Sequence, residues 1–301
     1  MKTSNHLLRR LTAALLAAVL ALSIALPVFA SDDGDTIYIN SVSDLLSLAK
    51  SCAYDQWSVG KTVILQKDLS LEGMLWEPIP SFSGQFKGNG HTISDLTITG
   101  QYSPAGLFGI VEEQGSIESL SVRGIVSVSD SADTTTGGIV GINHGTLINC
   151  QFTGVVTGDS EVGGIVGRNE SEGTIDHSTA RAIVTGKSST GGIAGYNLGA
   201  ITGCTNVGSI NTEYQEASLD TDGFTAKMLD HINNKMATAD DAATNSVTNV
   251  ATDTGGIAGR SSGMILTSVN TGTVGYEHIG YNVGGIVGRT DGLVSGCVNQ
   301  G

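Results

Sequence analysis

Cysteines, histidines and paired acids are the side chains of this 301-residue sequence that could carry chemistry, and their spacing argues against most of it. No His-Glu-x-x-His occurs among the six histidines, so the helix-borne zinc centre of a metalloprotease is not encoded in this stretch. None of the four cysteines lies near a second cysteine or a histidine in the manner of a zinc site, and no metal is expected. The segment Ser218-Leu-Asp220-Thr-Asp222-Gly223 has the outline of a calcium loop. It opens on Ser where such a loop needs Asp, and Leu229 stands where the bidentate Glu belongs. Gly-x-Gly-x-x-Gly look-alikes occur, as the glycine content makes inevitable, but none joins a strand to a helix in a crossover unit, and no cofactor is expected. Cleaving acidic sugars requires clustered acids with a basic residue, or two carboxylates about 5 to 9.5 Å apart. Glu161, Glu170, Glu172 and Asp176 instead fall at different phases of the repeat described below. The charge that does recur is basic: Arg168, Arg260 and Arg289 each directly follow a glycine-rich string. Such a column reads either as a solvated rim or as a stripe that touches glycan.

Composition narrows the class further. Glycine contributes 42 residues and proline 4, which excludes collagen and argues against a disordered tail. Only 15 % of residues are charged, too few for a coiled coil, and the net charge is −14. Nucleic acid and anionic lipid are therefore poor partners.

The first thirty residues read as an address. Lys2, Arg9 and Arg10 precede an uncharged apolar run from Leu11 to Leu26, and Val28-Phe29-Ala30 offers small residues at its first and third positions for cleavage after Ala30. Sixteen apolar residues fall short of the roughly 20 that span a bilayer, so a cleaved signal peptide is expected rather than an anchor. The mature chain then starts at Ser31, secreted or at the cell surface, with no membrane insertion.

From residue 105 onward the chain repeats. The string Gly-Gly-Ile-(Val/Ala)-Gly begins at Gly137, Gly163, Gly191, Gly255 and Gly284, with a degenerate copy at Ala105-Gly106-Leu107-Phe108-Gly109. Its second glycines are Gly138, Gly164, Gly192, Gly256 and Gly285, aligned with Gly106. Each string leads to a turn glycine, and two positions beyond that glycine an aliphatic always recurs: Ile117, Leu147, Ile175, Ile201, Ile265 and Val294. Five positions beyond it stand Leu120, Cys150, Ser178, Cys204, Ser268 and Cys297. A unit of 26 to 30 residues built from three short β-rich runs cannot bury a face alone. Stacked as turns of a right-handed parallel β-helix, equivalent residues lie about 4.8 Å apart and the aliphatics become internal ladders. Glycine at the corners is attributed to the restricted dihedrals of sharp turns, and Asn143, Asn169 and Asn197 to the tolerance of Asn for the left-handed region. A sandwich or propeller would show two-residue hairpin turns between alternating runs, which this period lacks.

The same columns decide the cysteines. Cys150 and Cys204 are two coils apart, hence roughly 9.6 Å by stacking, beyond the ~7 Å reach of a disulfide. Reduced thiols serving as small core residues are expected at Cys150, Cys204 and Cys297, while Cys52 has no evident partner.

Two segments differ in kind. Residues 37–40 read as a strand and 42–52 as an amphipathic helix with Leu45, Leu46, Leu48 and Ala49 on one side and Asp44 in the first turn; this helix is expected to cap the open end of the solenoid. Further strands are expected at 62–66 and 91–99. An insertion of about 211–254 interrupts the repeats, with Phe224, Met228, Leu229, Ile232 and Met236 at helical spacing and Asp222 as a cap. Its stripe reads either as packing against the solenoid or as a partner-binding helix. The chain stops at Gly301 inside a repeat, which suggests a truncated sequence.

The succession of Gly-Gly-Ile-Val-Gly, Asn, Gly-Thr-Leu-Ile-Asn-Cys and Gly-Val-Val over residues 137–156, with its copies, resembles the GLUG motif of bacterial surface proteins. The stretch from Trp76 to Ile93, then Leu96 to Ile98 and Gly106 to Gly109, is similar to the segment that precedes those repeats in that family. The resemblance implies a β-helical region of a large exported protein, often adhesin-like and sometimes attached to a peptidase domain. The organisation expected is a signal peptide (1–30), an N-terminal cap with the first coils (31–104) and the GLUG-repeat β-helix (105–301). The function expected is a non-catalytic, adhesin-like or stalk-like scaffold for a surface glycan or protein ligand. The alternatives are a β-helix polysaccharide lyase or glycoside hydrolase, and the N-terminal module of a larger surface peptidase.

Overall fold

The computed structural model describes residues 35–54, 56–128, 134–212, 253–275 and 282–301. Met1–Asp35 and Thr36–Gly301 form separate units. The expected leader, the helical stripe from Phe224 to Met236, Asp222 and the calcium-like segment at Ser218 all lie outside the described residues.

The second unit is a parallel β-solenoid. Its strands form two nine-stranded sheets, one of seven and one of five, and among the described residues the strands pair in parallel between successive coils. One coil runs through Thr135–Gly137, Val140–Asn143, Thr146–Ile148 and Gln151–Thr157. The coil thus carries four runs where the sequence suggested three. The short run before the string forms a sheet of its own, distinct from the run that follows it.

Register makes the columns literal. Phe86, Ile117, Leu147, Ile175, Ile201, Ile265 and Val294 are successive partners in one sheet, and all but the last are buried. Each fully buried aliphatic contributes about 1.5–3 kcal/mol, and no coil can collect this alone. The first coils are filled by aromatics instead: Phe82, Phe86 and Phe108 pack with ring centroids 5.4–6.3 Å apart. Ile201 pairs directly with Ile265 and Thr190 with Thr254, so the coils on either side of the expected insertion stack directly on each other.

At the N-terminal end, strand Thr36–Ile39 leads into helix Val42–Ser51. Ser41 caps it, accepting from the Asp44 N–H at 3.2 Å, and Asp44 reciprocates by accepting from the Asn40 N–H at 2.9 Å. Leu45 and Leu48 are buried in the core that continues into the coils, so the helix covers interior that would otherwise meet water. Among the described residues no helix is long and apolar enough to cross a membrane.

Candidate functional site: an outward arginine and tyrosine column

In the seven-stranded sheet, alternate residues face in and out. The inward partners include Asn143, Asn169, Asn197 and Ser261, all fully buried. Asn143 Nδ2 donates to Asn169 Oδ1 at 2.8 Å, Asn169 Nδ2 to Asn197 Oδ1 at 2.8 Å, and Asn197 Nδ2 to Ser261 Oγ at 3.0 Å. Asn169 and Asn197 are thereby satisfied by the coils on both sides, while Asn143 Oδ1 accepts from the Gly145 N–H of its own coil at 3.2 Å. These asparagines have ordinary backbone dihedrals, which corrects the expectation of left-handed corners there. The left-handed corner is another column, Ser119, Asn149, His177, Gly203, Thr267 and Gly296, with φ between 46° and 65°. A second amide ladder joins Asn206, Asn270 and Asn299 at 2.8 and 2.7 Å.

The outward neighbour of the first ladder is the column Ser81, Ile110, Ile142, Arg168, Tyr196, Arg260 and Arg289. Register therefore brings the three arginines flagged in the sequence onto one line and sets Tyr196 among them. The Tyr196 ring lies between two guanidinium groups, with Arg168 and Arg260 each 5.1 Å from its centroid. Arg168 is also clamped by Glu161 through Nη1 and by Glu170 through Nε, both at 2.7 Å. Two of the acids that seemed out of phase thus meet on a single cation. Tyr196 Oη lies 3.3 Å from Ser262 Oγ. The Asp291 carboxyl is held below its usual range by a hydrogen bond with Ser262 and by the nearby Arg260 and Arg289 charges. Sequence reading passed over Tyr196, although it stands directly before Asn197 as Arg168 stands before Asn169.

The glycines of the strings serve close approach rather than unusual dihedrals. None of Gly106, Gly138, Gly164, Gly192, Gly256 and Gly285 has positive φ. A Cβ on Gly164 would lie 2.2 Å from the Gly192 carbonyl oxygen, and one on Gly138 would lie 2.4 Å from the Phe152 ring. This corrects the attribution of these glycines to turn conformation.

All four cysteines are free. Cys150 and Cys204 share their column with Ser178 and Ser268, whose hydroxyls accept from the Cys150 and Cys204 backbone N–H groups at 3.1 and 3.2 Å. Burial pushes the Cys150 and Cys204 thiols up to about 12, and Cys52 to about 11. Cys297 is half-buried. No group of three acids, histidines or cysteines suited to a metal occurs among the described residues. On the left-handed corner, Gly90, Ser119, Asn149, Gln151, His177 and Thr179 line a shallow cleft of about 130 Å³.

Fold and site together define a β-solenoid of stacked glycine-rich coils carrying an outward basic and aromatic column. Residues 158–185, one coil of the stack, carry the GLUG motif. Over 155 residues the chain is 32 % identical to halomucin of Haloquadratum walsbyi, covering 47 % of this chain and 2 % of that protein. Over 137 residues it is 29 % identical to a protein assigned as a Gly-rich membrane protein in Evansella cellulosilytica, covering 33 % and 16 % respectively. The chain spans only a small part of the length of these curated relatives. A crystal structure from Bacteroides ovatus, assigned as an immunoglobulin A1 protease, superposes with a TM-score of 0.56 at 18 % identity. That superposition takes in 90 % of this chain and 79 % of the other, and the likeness is one of fold.

Proposed function

We propose that the chain is an exported, non-catalytic β-solenoid scaffold of adhesin-like or stalk-like character, which holds binding side chains on a rigid rod at the cell surface. The observation that carries this reading is the strict register of the coils: one outward position, repeated from coil to coil, becomes a straight line of side chains such as Arg168, Tyr196, Arg260 and Arg289. Such an array suits multivalent contact with an extended ligand better than it suits chemistry on one bond. The GLUG motif and the membrane and mucin names of the relatives support a place outside the cytoplasm, as does the expected cleavage after Ala30. Purified protein is to be tested on glycan and matrix-protein arrays, with the N-terminus of the secreted form sequenced. Binding on the arrays and a start at Ser31 are expected. Silence on every array, or turnover of a polysaccharide or peptide by the purified chain, overturns the reading.

A further inference from the structure

The outward column is electrostatically uneven. Its lower part is self-contained, since Arg168 has Glu161, Glu170 and the Tyr196 ring as partners. Higher up, Arg260 and Arg289 are direct in-register neighbours on adjacent strands, with no residue between them. The sheet positions that hold Glu161 and Glu170 beside Arg168 hold Asp253 and Ser262 beside Arg260, and Asn282 and Asp291 beside Arg289. Asp253 is turned to Asn282, whose Nδ2 donates to it at 2.5 Å, and is nearly buried. Asp291 is hydrogen-bonded with Ser262 and lies near enough to feel the Arg260 and Arg289 charges, but it makes no ion-pair contact with either. Among the described residues no ion pair reaches either arginine. Like charges directly opposite on neighbouring strands destabilise a sheet, and Arg289 is exposed while Arg260 is half-buried on the Tyr196 ring. An anion between them removes that repulsion, and two guanidinium forks match a carboxylate or sulfate better than they match a spherical ion.

Resting on the display reading above, we propose that Arg260 and Arg289, continued by the Tyr196 and Ser262 hydroxyls, seat an anionic polysaccharide lying along the solenoid axis. The coil step of about 4.8 Å sets the interval at which the surface can meet successive groups, and the hydroxyl pair offers hydrogen bonds to sugar hydroxyls beside the charged seat. The net charge of −14 opposes a polymer as densely charged as nucleic acid. A glycan with one anionic group per sugar engages the patch locally, within the screening length of about 8 Å at physiological salt.

The test is binding of the full purified chain to polygalacturonate, iota-carrageenan, neutral dextran and single-stranded DNA at physiological salt. Binding to one or both anionic glycans is expected, the pair of probes telling carboxylate from sulfate. The double variant Arg260→Gln with Arg289→Gln is expected to weaken it at least tenfold, and Arg181→Gln, a cation on another sheet, to change it less than twofold. Circular dichroism and thermal melting verify that each variant is folded. An unchanged affinity in the double variant, equal affinity for neutral dextran, or equal affinity for DNA overturns the proposal. Array binding to other ligands with none to either anionic glycan overturns this inference while leaving the display reading standing.

Discussion

Asn169 accepts from Asn143 and donates to Asn197, both at 2.8 Å, so one fully buried amide links three coils. Its neighbours depend on it: Asn197 Oδ1 has its donor there, and Asn143 Nδ2 one of its two acceptors, the other being the Gly145 carbonyl. The substitution Asn169→Leu fills the volume but strands Asn197 Oδ1 and takes one acceptor from Asn143 Nδ2. A loss of about 3 kcal/mol is expected, since an unpaired buried polar group costs about 1–3 kcal/mol. Urea unfolding of the variant checks it, and a loss below about 1 kcal/mol would show that the ladder is not a structural tie.

Gly164 and Gly90 separate two reasons for glycine. Gly164→Ala drives a Cβ to 2.2 Å from the backbone oxygen of Gly192, which no rotamer can relieve. About 3 kcal/mol of destabilisation is expected from such overpacking. Gly90→Ala meets open space but must hold φ at 76°, at a cost of about 1 kcal/mol. Thermal melts of the two variants should rank them in that order, and the reverse order would refute the close-approach account.

Buried thiols give the fold an alkaline limit. Cys150 and Cys204 sit near 12 in the fold because burial disfavours the thiolate, against an ordinary value of 9.0 in the unfolded chain. Above pH 9 the unfolded chain releases these protons and the folded chain keeps them, so stability present below pH 9 falls progressively towards pH 12. Urea midpoints between pH 8 and 10.5 should decline, and Cys150→Ser with Cys204→Ser should flatten the decline. Serine already occupies that column at Ser178 and Ser268, so the double variant is expected to fold. At pH 8 a thiol reagent should label half-buried Cys297 first and reach Cys150 and Cys204 only on unfolding. Mass spectrometry of labelled peptides reads the order.

Thr136 and Thr190 carry buried hydroxyls without a hydrogen-bond partner, while Val162 occupies the same column between them. Thr190→Val keeps the shape and deletes the stranded oxygen. A gain of about 1 kcal/mol is expected, measured as a raised urea midpoint; a loss would mean that the hydroxyl is satisfied after all.

Much of this architecture is legible in the sequence because phase is visible wherever side chains of one type must stack. Ile117, Leu147, Ile175 and Ile201 announce themselves because each interior position sees only its equivalents above and below. What periodicity cannot display is direction. Asn143 and Asn149 belong to the same coil, yet the first lines a buried ladder and the second turns a left-handed corner. A string glycine likewise looks the same whether its backbone or its neighbour forbids a side chain. Tyr196 escapes notice because the column it joins is defined by charge, and its contribution is a π face.

The coil-to-coil register also fixes how the rod answers a pull. Adjacent turns are held by backbone bonds that run along the long axis, so tension between its two ends is borne in series by every interface. The outermost turn, paired on one side only, is the one that peels first. Extension would then proceed in discrete yields, each paying out a turn: 26 residues from Asn143 to Asn169, 28 from there to Asn197, and 64 across the insertion to Ser261. A solenoid built this way takes up a sudden tug by lengthening in small steps.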